Sequence, residues 1–311
     1  MPLYPRLDDL LELRHQAHTL GLASHHLVNS SFSGLYASVF RGQGLNFEEV
    51  REYREGDDIR NMDWRVTARA GRPHTKLFQE ERERPVVLLV DLGPGMFFAT
   101  RGALKSVIAA RTATLIAWAA AARGDRIGAL LFNGGHRELR PRSGHRGVLQ
   151  LIHALTEAAD PIRGLSQGAH HTGLNDALVR LRRIVRPGSL VIMLSDFHAL
   201  DQETGNHLAR LRYHNDLLAI RVLDPIEQAP PPPGSYAITD GAQTGLLDTA
   251  SRGGHAAYEG YFSDQRERIQ VAMGRHGVPL LQLSTGENVV SAVQRLFGRQ
   301  AAARPGEGMA A

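Results

Sequence analysis

Cysteine is absent from this 311-residue sequence. Its absence excludes disulfide bonds, zinc sites built from thiolates and enzymes that use a cysteine nucleophile. Long apolar runs are also missing, because no stretch reaches the roughly 18 to 20 residues that a helix needs to cross a bilayer. Residues 1–20 carry acids and histidines instead of the pattern of a secretory signal. We therefore expect a cytoplasmic protein without a transmembrane segment.

Lysine is scarce, since Lys76 and Lys105 are the only two in a chain whose formal net charge is +4. The remaining positive charge is arginine, and the arginines are spread along the chain instead of forming one stripe. This distribution argues against a surface that binds phosphates, so we expect no nucleic-acid partner. The glycine-rich signatures of nucleotide hydrolysis, dinucleotide binding and serine hydrolysis are missing as well.

From Pro85 onward, short apolar runs alternate with segments of helical periodicity. Val86–Val90 is a continuous apolar run, which is typical of a strand buried on both faces of a parallel sheet. The alternation of such strands with helices predicts an α/β fold with a doubly wound, mainly parallel sheet. Further strands are predicted at Arg126–Phe132, Ser189–Ser195, Leu217–Val222 and Val278–Leu283, and helices near Gly102–Ala122, Leu174–Val185, Gln202–His214, Gly260–His276 and Asn288–Phe297.

Three regions are predicted along the chain. Residues 1–84 form an N-terminal extension, in which a helix or helical hairpin between Leu7 and about Ser30 precedes a charged segment with short strands. We expect this extension to pack on the main domain. Residues 85–298 form the α/β domain, and residues 299–311 are small and polar, which predicts a disordered tail.

Two of the predicted strands end at an aspartate, Asp91 in one case and Asp196 in the other. Ligands of an open parallel sheet bind beyond the carboxyl ends of its strands. Two carboxylates at that edge are suitable ligands for a hard cation. The alternative is that each aspartate only caps the helix that follows it. The spacing alone leaves both interpretations open.

The residues around these aspartates resemble the von Willebrand factor type A domain. In its metal-ion-dependent adhesion motif, D-x-S-x-S, the aspartate corresponds to Asp91, and Gly93 and Gly95 replace the two serines. Thr172 resembles the threonine of the second motif element, and Asp196 resembles the aspartate of the third. The resemblance implies a von Willebrand factor type A-like domain with a degenerate metal site, which would bind Mg²⁺ only weakly.

The most specific motif lies upstream, between Tyr53 and Arg69. It resembles the hallmark of the bacterial domain of unknown function 58 family, Y-x-x-G-D-D-x-R-x-I-D-W-x-x-x-A-R, and departs from it only at Met62. Its alternating acids and arginines suit carboxylate–guanidinium pairs, with Trp64 as an apolar anchor. The alternative is an edge that binds a partner protein. The matching positions are Tyr53, Gly56, Asp57, Asp58, Arg60, Asp63, Trp64, Ala68 and Arg69.

The family resemblance implies a working partner, either an AAA-type ATPase of the MoxR class or the client of such an ATPase. We therefore expect a non-enzymatic adaptor or assembly factor, which presents the sheet edge around Asp91, Thr172 and Asp196 to another protein. No bond is made or broken by the protein itself in this interpretation.

Two other interpretations remain open. In the first, the protein is a metal-dependent hydrolase in which Asp91 and Asp196 hold a cation that activates water. Such an enzyme needs a general base, for which the sequence offers His170, His171 and His198. In the second, the protein is a structural subunit without a cation, which is consistent with the loss of both motif serines.

Overall fold

The computed structural model divides the chain into two compact units. One unit comprises Met1–Phe40 together with Arg84–Ala311, and the other comprises Arg41–Glu83. The described residues are 3–19, 45–53, 62–80, 85–133, 135–162, 173–239 and 244–299. The predicted second half of the N-terminal hairpin and positions 300–311 of the predicted tail lie outside these residues.

Strands and helices alternate along most of the described chain. The strands are β1 (Leu45–Glu52), β2 (His74–Glu80), β3 (Pro85–Asp91), β4 (Arg126–Asn133), β5 (Gly135–Ser143), β6 (Leu190–Ser195), β7 (Asp216–Leu223), β8 (Ser235–Thr239), β9 (Thr244–Asp248) and β10 (Leu280–Ser284). The helices are α1 (Leu7–Thr19), α2 (Trp64–Ala70), α3 (Lys105–Ala122), α4 (Gly144–Ala158), α5 (Leu174–Ile184), α6 (Gln202–Arg212), α7 (Arg252–Arg275) and α8 (Val289–Arg299).

A six-stranded sheet forms the centre of the larger unit, with the strand order β10-β7-β6-β3-β4-β5. Five of its strands are parallel, and β5 at one edge runs antiparallel to β4. Counted along the chain within the sheet, this is the doubly wound order, in which the direction of winding reverses between β3 and β6. The predicted mainly parallel α/β fold is confirmed.

Helices cover both faces of the sheet. Successive side chains of β3 point to opposite faces, so that Leu88 lies in one buried apolar cluster and Leu89 in the other. The first cluster includes residues of α1, α3, α4 and α8, and the second includes residues of α5, α6 and α7. The strands are therefore buried on both sides, which explains their uninterrupted apolar sequences.

The central helix α3 is buried on nearly all sides and is rich in alanine. Helix α1 packs over it, and Leu10 of α1 is 0% exposed. The indole of Trp118 donates a hydrogen bond to the carbonyl of Leu10 at 3.2 Å, and Arg111 lies 3.2 Å from the carboxylate of Asp9. The N-terminal helix thus completes the core on this face of the sheet.

The smaller unit contains an antiparallel pair, β1 and β2, with the short helix α2 between them in sequence. Asp63 begins α2, because its carboxylate accepts hydrogen bonds from the amides of Arg65 at 3.0 Å and Val66 at 3.1 Å. Gly71 ends α2 in the left-handed conformation with φ of 70°, which glycine adopts at no steric cost. Both ends of this helix are therefore specified locally by sequence.

Several elements were not predicted. These are the short helix α2, the antiparallel edge strand β5, the helix α4 and the β8–β9 hairpin, and α7 begins at Arg252 instead of near Gly260. None of the helices in the described stretches is both long enough and apolar enough to cross a membrane.

Candidate functional site

Asp91 and Asp196, the two aspartates singled out from sequence, come together at one edge of the sheet. Strands β3 and β6 are parallel neighbours in which Val90 pairs with Leu194, so that the residues that follow lie at the same carboxyl edge. Both aspartates are nearly buried, with exposed fractions of 8% and 6%. The hydroxyl of Ser195 joins the two strand ends, since it donates a hydrogen bond to Asp91 Oδ2 at 2.5 Å.

A buried lysine lies among the acids of this edge. Lys105 is the first residue of α3, and only 1% of it is exposed. Its Nζ lies 3.6 Å from Asp196 Oδ2 and 2.5 Å from Glu227 Oε1. The contact of Lys105 with Asp196 is an ion pair, and its contact with Glu227 is a charge-assisted hydrogen bond. One ammonium group therefore serves two carboxylates.

Glu227 is the third carboxylate of this edge and belongs to the 3₁₀ turn Pro225–Glu227 after β7. Its Oε1 also lies 3.3 Å from Nε2 of His198. Burial alone would raise the pKa of Glu227, but the hydrogen bond with His198 and the ion pair with Lys105 lower it to about 2. We refer to five residues as the rim cluster: Asp91, Lys105, Asp196, His198 and Glu227.

Two more buried charged residues lie near the rim cluster: Arg221 belongs to β7, and Asp224 follows directly after β7. Asp224 is 0% exposed and accepts hydrogen bonds from the amide of Thr100 at 2.8 Å and the hydroxyl of Thr285 at 2.5 Å. It thereby ties the loops that follow β3 and β10 to the end of β7. Arg221 is 2% exposed; burial lowers its pKa, and the negative charges of Glu227 and Asp196 oppose that shift.

Asp91 has the most unusual titration of this edge. Its pKa is raised to about 7, first because the carboxyl is buried and second because Asp196 is close. The hydrogen bonds from Ser195 and from the amide of Gly93, together with the charge of Lys105, oppose this shift only in part. Near neutral pH a large fraction of Asp91 is therefore protonated.

A strained turn holds the end of β6. Phe197 is 1% exposed and has a φ of 57°, a left-handed conformation that is unfavourable for a bulky residue. Its amide donates to Ser195 Oγ at 3.0 Å, and the amide of His198 donates to Asp196 Oδ1 at 3.0 Å. These hydrogen bonds fix the Asp196 carboxylate towards Lys105.

The described side chains at this edge do not fit a divalent cation. A Cβ atom at Gly95 would lie 2.8 Å from Asp196 Oδ2, so a serine there requires the carboxylate to move. The ammonium of Lys105 lies 3.6 Å from the same oxygen, and its positive charge repels a metal ion at this position. Across the described ranges, no three acidic or histidine side chains form a group that could hold a metal. Thr172 lies outside the described residues.

Sequence reasoning missed Lys105, Asp224 and Glu227. Asp224 carried the same signal as Asp91, because it follows directly after an apolar strand. Lys105 is one of only two lysines in an arginine-rich chain, which was a weaker signal. Of the three histidines considered as a base, His198 lies in the rim cluster, and the two at positions 170 and 171 lie outside the described residues.

The described part of the signature motif lies in and around α2. Asp63 acts as the N-cap of α2, and Trp64 is the first residue of this helix, with an exposed fraction of 67% within the described structure. Tyr53 is half-buried, and Ala68 and Arg69 are exposed. The other four signature residues lie outside the described residues, namely Gly56, Asp57, Asp58 and Arg60.

Comparisons with known proteins give relatives of unknown function. The Uncharacterized protein Rv1480 of Mycobacterium tuberculosis is 29% identical over 287 residues, which cover 89% of this chain and 86% of the relative. Among solved structures, the conserved hypothetical protein BatB from Bacteroides thetaiotaomicron matches with a TM-score of 0.44 and 11% identity, covering 70% of this chain and 98% of that one. A von Willebrand factor type A protein from Catenulispora acidiphila matches with a TM-score of 0.31 and 15% identity, covering 48% and 35%.

A family model matches residues 49–268, a range that contains the whole signature motif and all of the rim cluster. The match covers more than half of the chain. The chain therefore belongs to the family described as Protein of unknown function DUF58.

Proposed function

We propose that this protein is a non-catalytic binding factor, which docks another protein at the carboxyl edge of its sheet without using a metal ion. The observation that supports this most is the pairing within the rim cluster. Lys105 neutralises Asp196 and Glu227 from inside the protein, with distances of 3.6 and 2.5 Å. A built-in cation of this kind takes the place that a divalent ion would have between carboxylates.

The same pairing argues against catalysis. A general base must be accessible to the proton that it removes. Asp196 and Glu227 are each only 6% exposed and share Lys105, so neither presents a free carboxylate to a substrate. The rim cluster therefore has the properties of a structural ion network.

Phe98 is the best candidate for an apolar contact with the partner. It is 43% exposed, and the centroid of its ring lies 6.0 Å from Nζ of Lys105, beside the buried ion network. Aromatic residues, phenylalanine among them, are enriched at protein interfaces. We propose an AAA-type ATPase of the MoxR class, or its client, as the partner, on the strength of the family resemblance.

The test measures binding of a purified MoxR-class ATPase from the same organism to this protein by surface plasmon resonance. Phe98→Ala is expected to weaken binding by about tenfold or more, because truncation of a side chain at the energetic centre of an interface costs about 2 kcal/mol or more. Leu149→Ala is the matched control, since Leu149 has a similar exposed fraction of 46% but lies on α4. No binding by the unaltered protein, or equal losses in both variants, would refute the proposal.

A metal-dependent or acid–base hydrolase is the second candidate, and one observation favours it. The pKa of Asp91 is raised to about 7, which is typical of residues that exchange protons in active sites. A screen with phosphoester and ester substrates in the presence of Mn²⁺ tests this candidate. Turnover that disappears in Asp91→Asn would establish an enzyme, whereas we expect no turnover.

A further inference from the structure

A groove opens at the opposite edge of the same sheet, where the chain enters β6 and β7. The loops that line it precede these two strands, whereas the rim cluster follows them. The groove has a volume of about 620 Å³. Its lining includes Arg182, Val185, Arg210, Leu211 and Tyr213. It is therefore a separate site on the larger unit.

Asn215 holds the two loops of this groove together. Its side-chain oxygen accepts a hydrogen bond from the amide of Ser189 at 3.2 Å, and its side-chain nitrogen donates to the carbonyl of Leu211 at 3.0 Å. The amide of Gly188 also donates to the carbonyl of His214 at 2.7 Å. A groove whose walls are hydrogen-bonded to each other is preformed, which lowers the entropic cost of binding.

Two arginines of the groove have no acidic partner among the residues that the structure describes. Arg182 and Arg210 are exposed, and the recorded polar contact of Arg182 is with His207 Nδ1 at 3.5 Å. By contrast, Arg212, two positions after Arg210 on α6, is paired with Asp216 at 2.7 Å. The groove therefore presents positive charge that the described protein does not neutralise.

The floor of the groove is apolar and an aromatic residue stands beside it. Val185, Pro187 and Leu211 line the groove together with the arginines. Tyr213 is 82% exposed and packs edge-to-face on His214, with ring centroids 4.6 Å apart. Arginine and tyrosine are among the residues that are enriched at the energetic centres of protein interfaces. An apolar floor between positive walls suits a ligand with apolar and acidic side chains.

A peptide fits this groove better than a nucleic acid does. Glu203 is 68% exposed on α6, and Asp216 lies beside Arg212, so negative charges border the positive ones. A continuous phosphate backbone would meet these acids, whereas a short acidic segment with an apolar residue would not. A cavity of about 620 Å³ also holds only a few side chains.

We propose that the groove between α5, the end of α6 and the starts of β6 and β7 binds a short acidic segment of a partner protein. Arg182 and Arg210 pair with its carboxylates, and an apolar side chain of the segment lies on the floor. This inference stands independently of the function proposed for the rim cluster, because the two sites lie at opposite edges of the sheet.

The test uses the full chain and a short fluorescein-labelled peptide of glutamates around a central pair of leucines, with fluorescence anisotropy as the readout. The double variant Arg182→Ala, Arg210→Ala is expected to bind the peptide about tenfold more weakly, and Tyr213→Ala several-fold more weakly. The matched control is Arg140→Ala, Arg142→Ala, which removes two exposed arginines from β5 and is expected to bind like the unaltered protein. A peptide with glutamine in place of glutamate should not bind.

Three outcomes would overturn the inference. The first is no saturable binding of the glutamate peptide by the unaltered protein at low salt. The second is an equal loss in the groove variant and in the β5 variant, which would indicate an unspecific effect of net charge. The third is tighter binding of a labelled single-stranded oligonucleotide that is lost in the groove variant, which would identify a nucleic-acid site.

Discussion

The carboxyl edge of the sheet buries its charged side chains and pairs them with one another, while the amino edge leaves two exposed arginines without an acidic partner among the described residues. Lys105 at the first edge is 1% exposed and contacts two carboxylates. Arg182 and Arg210 at the second edge are exposed, and no acid of the described residues pairs with them. The same sheet thus has buried, paired charges at one edge and exposed charges at the other.

The difference shows which charges the fold depends on. A buried ion is costly unless a partner compensates it, so each member of a buried network is required by the others. An exposed arginine keeps its hydration and adds little to folding. We therefore expect substitutions at the carboxyl edge to change stability, and substitutions at the amino edge to change binding alone.

The largest effect is expected for Lys105→Met. Methionine has a similar volume but no charge, so Asp196 and Glu227 lose their shared cation inside the protein. Removal of one partner of a buried ion pair typically costs about 3–5 kcal/mol. Urea denaturation followed by circular dichroism measures this free energy of unfolding. Arg101→Ala, an exposed arginine in the loop before α3, is the control and should change it by less than about 0.5 kcal/mol.

A second variant separates the loss of pairing from a packing defect. Glu227→Gln removes a negative charge, so it should be less harmful in the Lys105→Met background than in the unaltered protein. Additive losses in the double variant would show that the pair is not coupled, and the contrast between the two edges would then fail.

The second effect concerns the pH dependence of stability through Asp91. Its folded pKa of about 7 lies above the ordinary value for an aspartate, about 3.9, so the folded state binds more protons than the unfolded state between these two pH values. This group's contribution to stability is complete at low pH and is lost as pH rises through 7. Between about pH 5 and pH 8 the loss amounts to about 3 kcal/mol, since one pKa unit corresponds to about 1.4 kcal/mol.

Asp91→Asn removes this titration. The stability of the variant relative to the unaltered protein is therefore expected to improve by about 3 kcal/mol between about pH 5 and pH 8. Denaturation curves at both pH values measure it, and Asp264→Asn, at an exposed position of α7, is the control. A relative stability that stays constant with pH would contradict the raised pKa of Asp91.

A smaller effect is expected for Gly95→Ser, which restores one serine of the adhesion motif. The new Cβ would lie 2.8 Å from Asp196 Oδ2, and this carboxylate is held by the amide of His198 and by Lys105. Overpacking of this kind typically costs about 1–3 kcal/mol. Thermal unfolding is the measurement, and Gly260→Ser, whose Cβ would meet open space, is the control. An unchanged melting temperature would show that the carboxylate is free to move.

Much of the sheet could be predicted, because parallel strands that are buried on both faces have continuous apolar sequences. The apolar runs before Asp91 and Asp196 identified two strands and the edge at which they end, and β3 and β6 are indeed neighbours. Strand β5 has no continuous apolar sequence. Only Leu139 of its nine residues is buried, and three of the others are arginines. An edge strand with a solvated face does not show a continuous apolar run.

The ion network could not be predicted, because it joins residues that are far apart in sequence. Lys105 and Glu227 are separated by 122 positions, and only the packing of α3 against the end of β7 brings them together. The start of α7 was misplaced for a local reason. Gly253, Gly254 and Gly260 lower the helix propensity of its first turns, and the hydroxyl of Ser251 nevertheless caps it by accepting from the amide of Gly254 at 3.1 Å.

The smallest effect is expected at the amino edge, and it decides whether the two edges really differ. The double variant Arg182→Ala, Arg210→Ala should change the free energy of unfolding by less than about 1 kcal/mol, because exposed side chains without ionic partners contribute little to folding. Urea denaturation at low and at high salt measures this free energy of unfolding, and the change should be the same in both conditions.

A clear destabilisation would mean that these arginines stabilise the fold as Lys105 does. A loss of peptide binding in the same variant would then no longer identify a binding site. Unchanged stability with lost binding would assign the two arginines to recognition, since only an interaction with a ligand then depends on them.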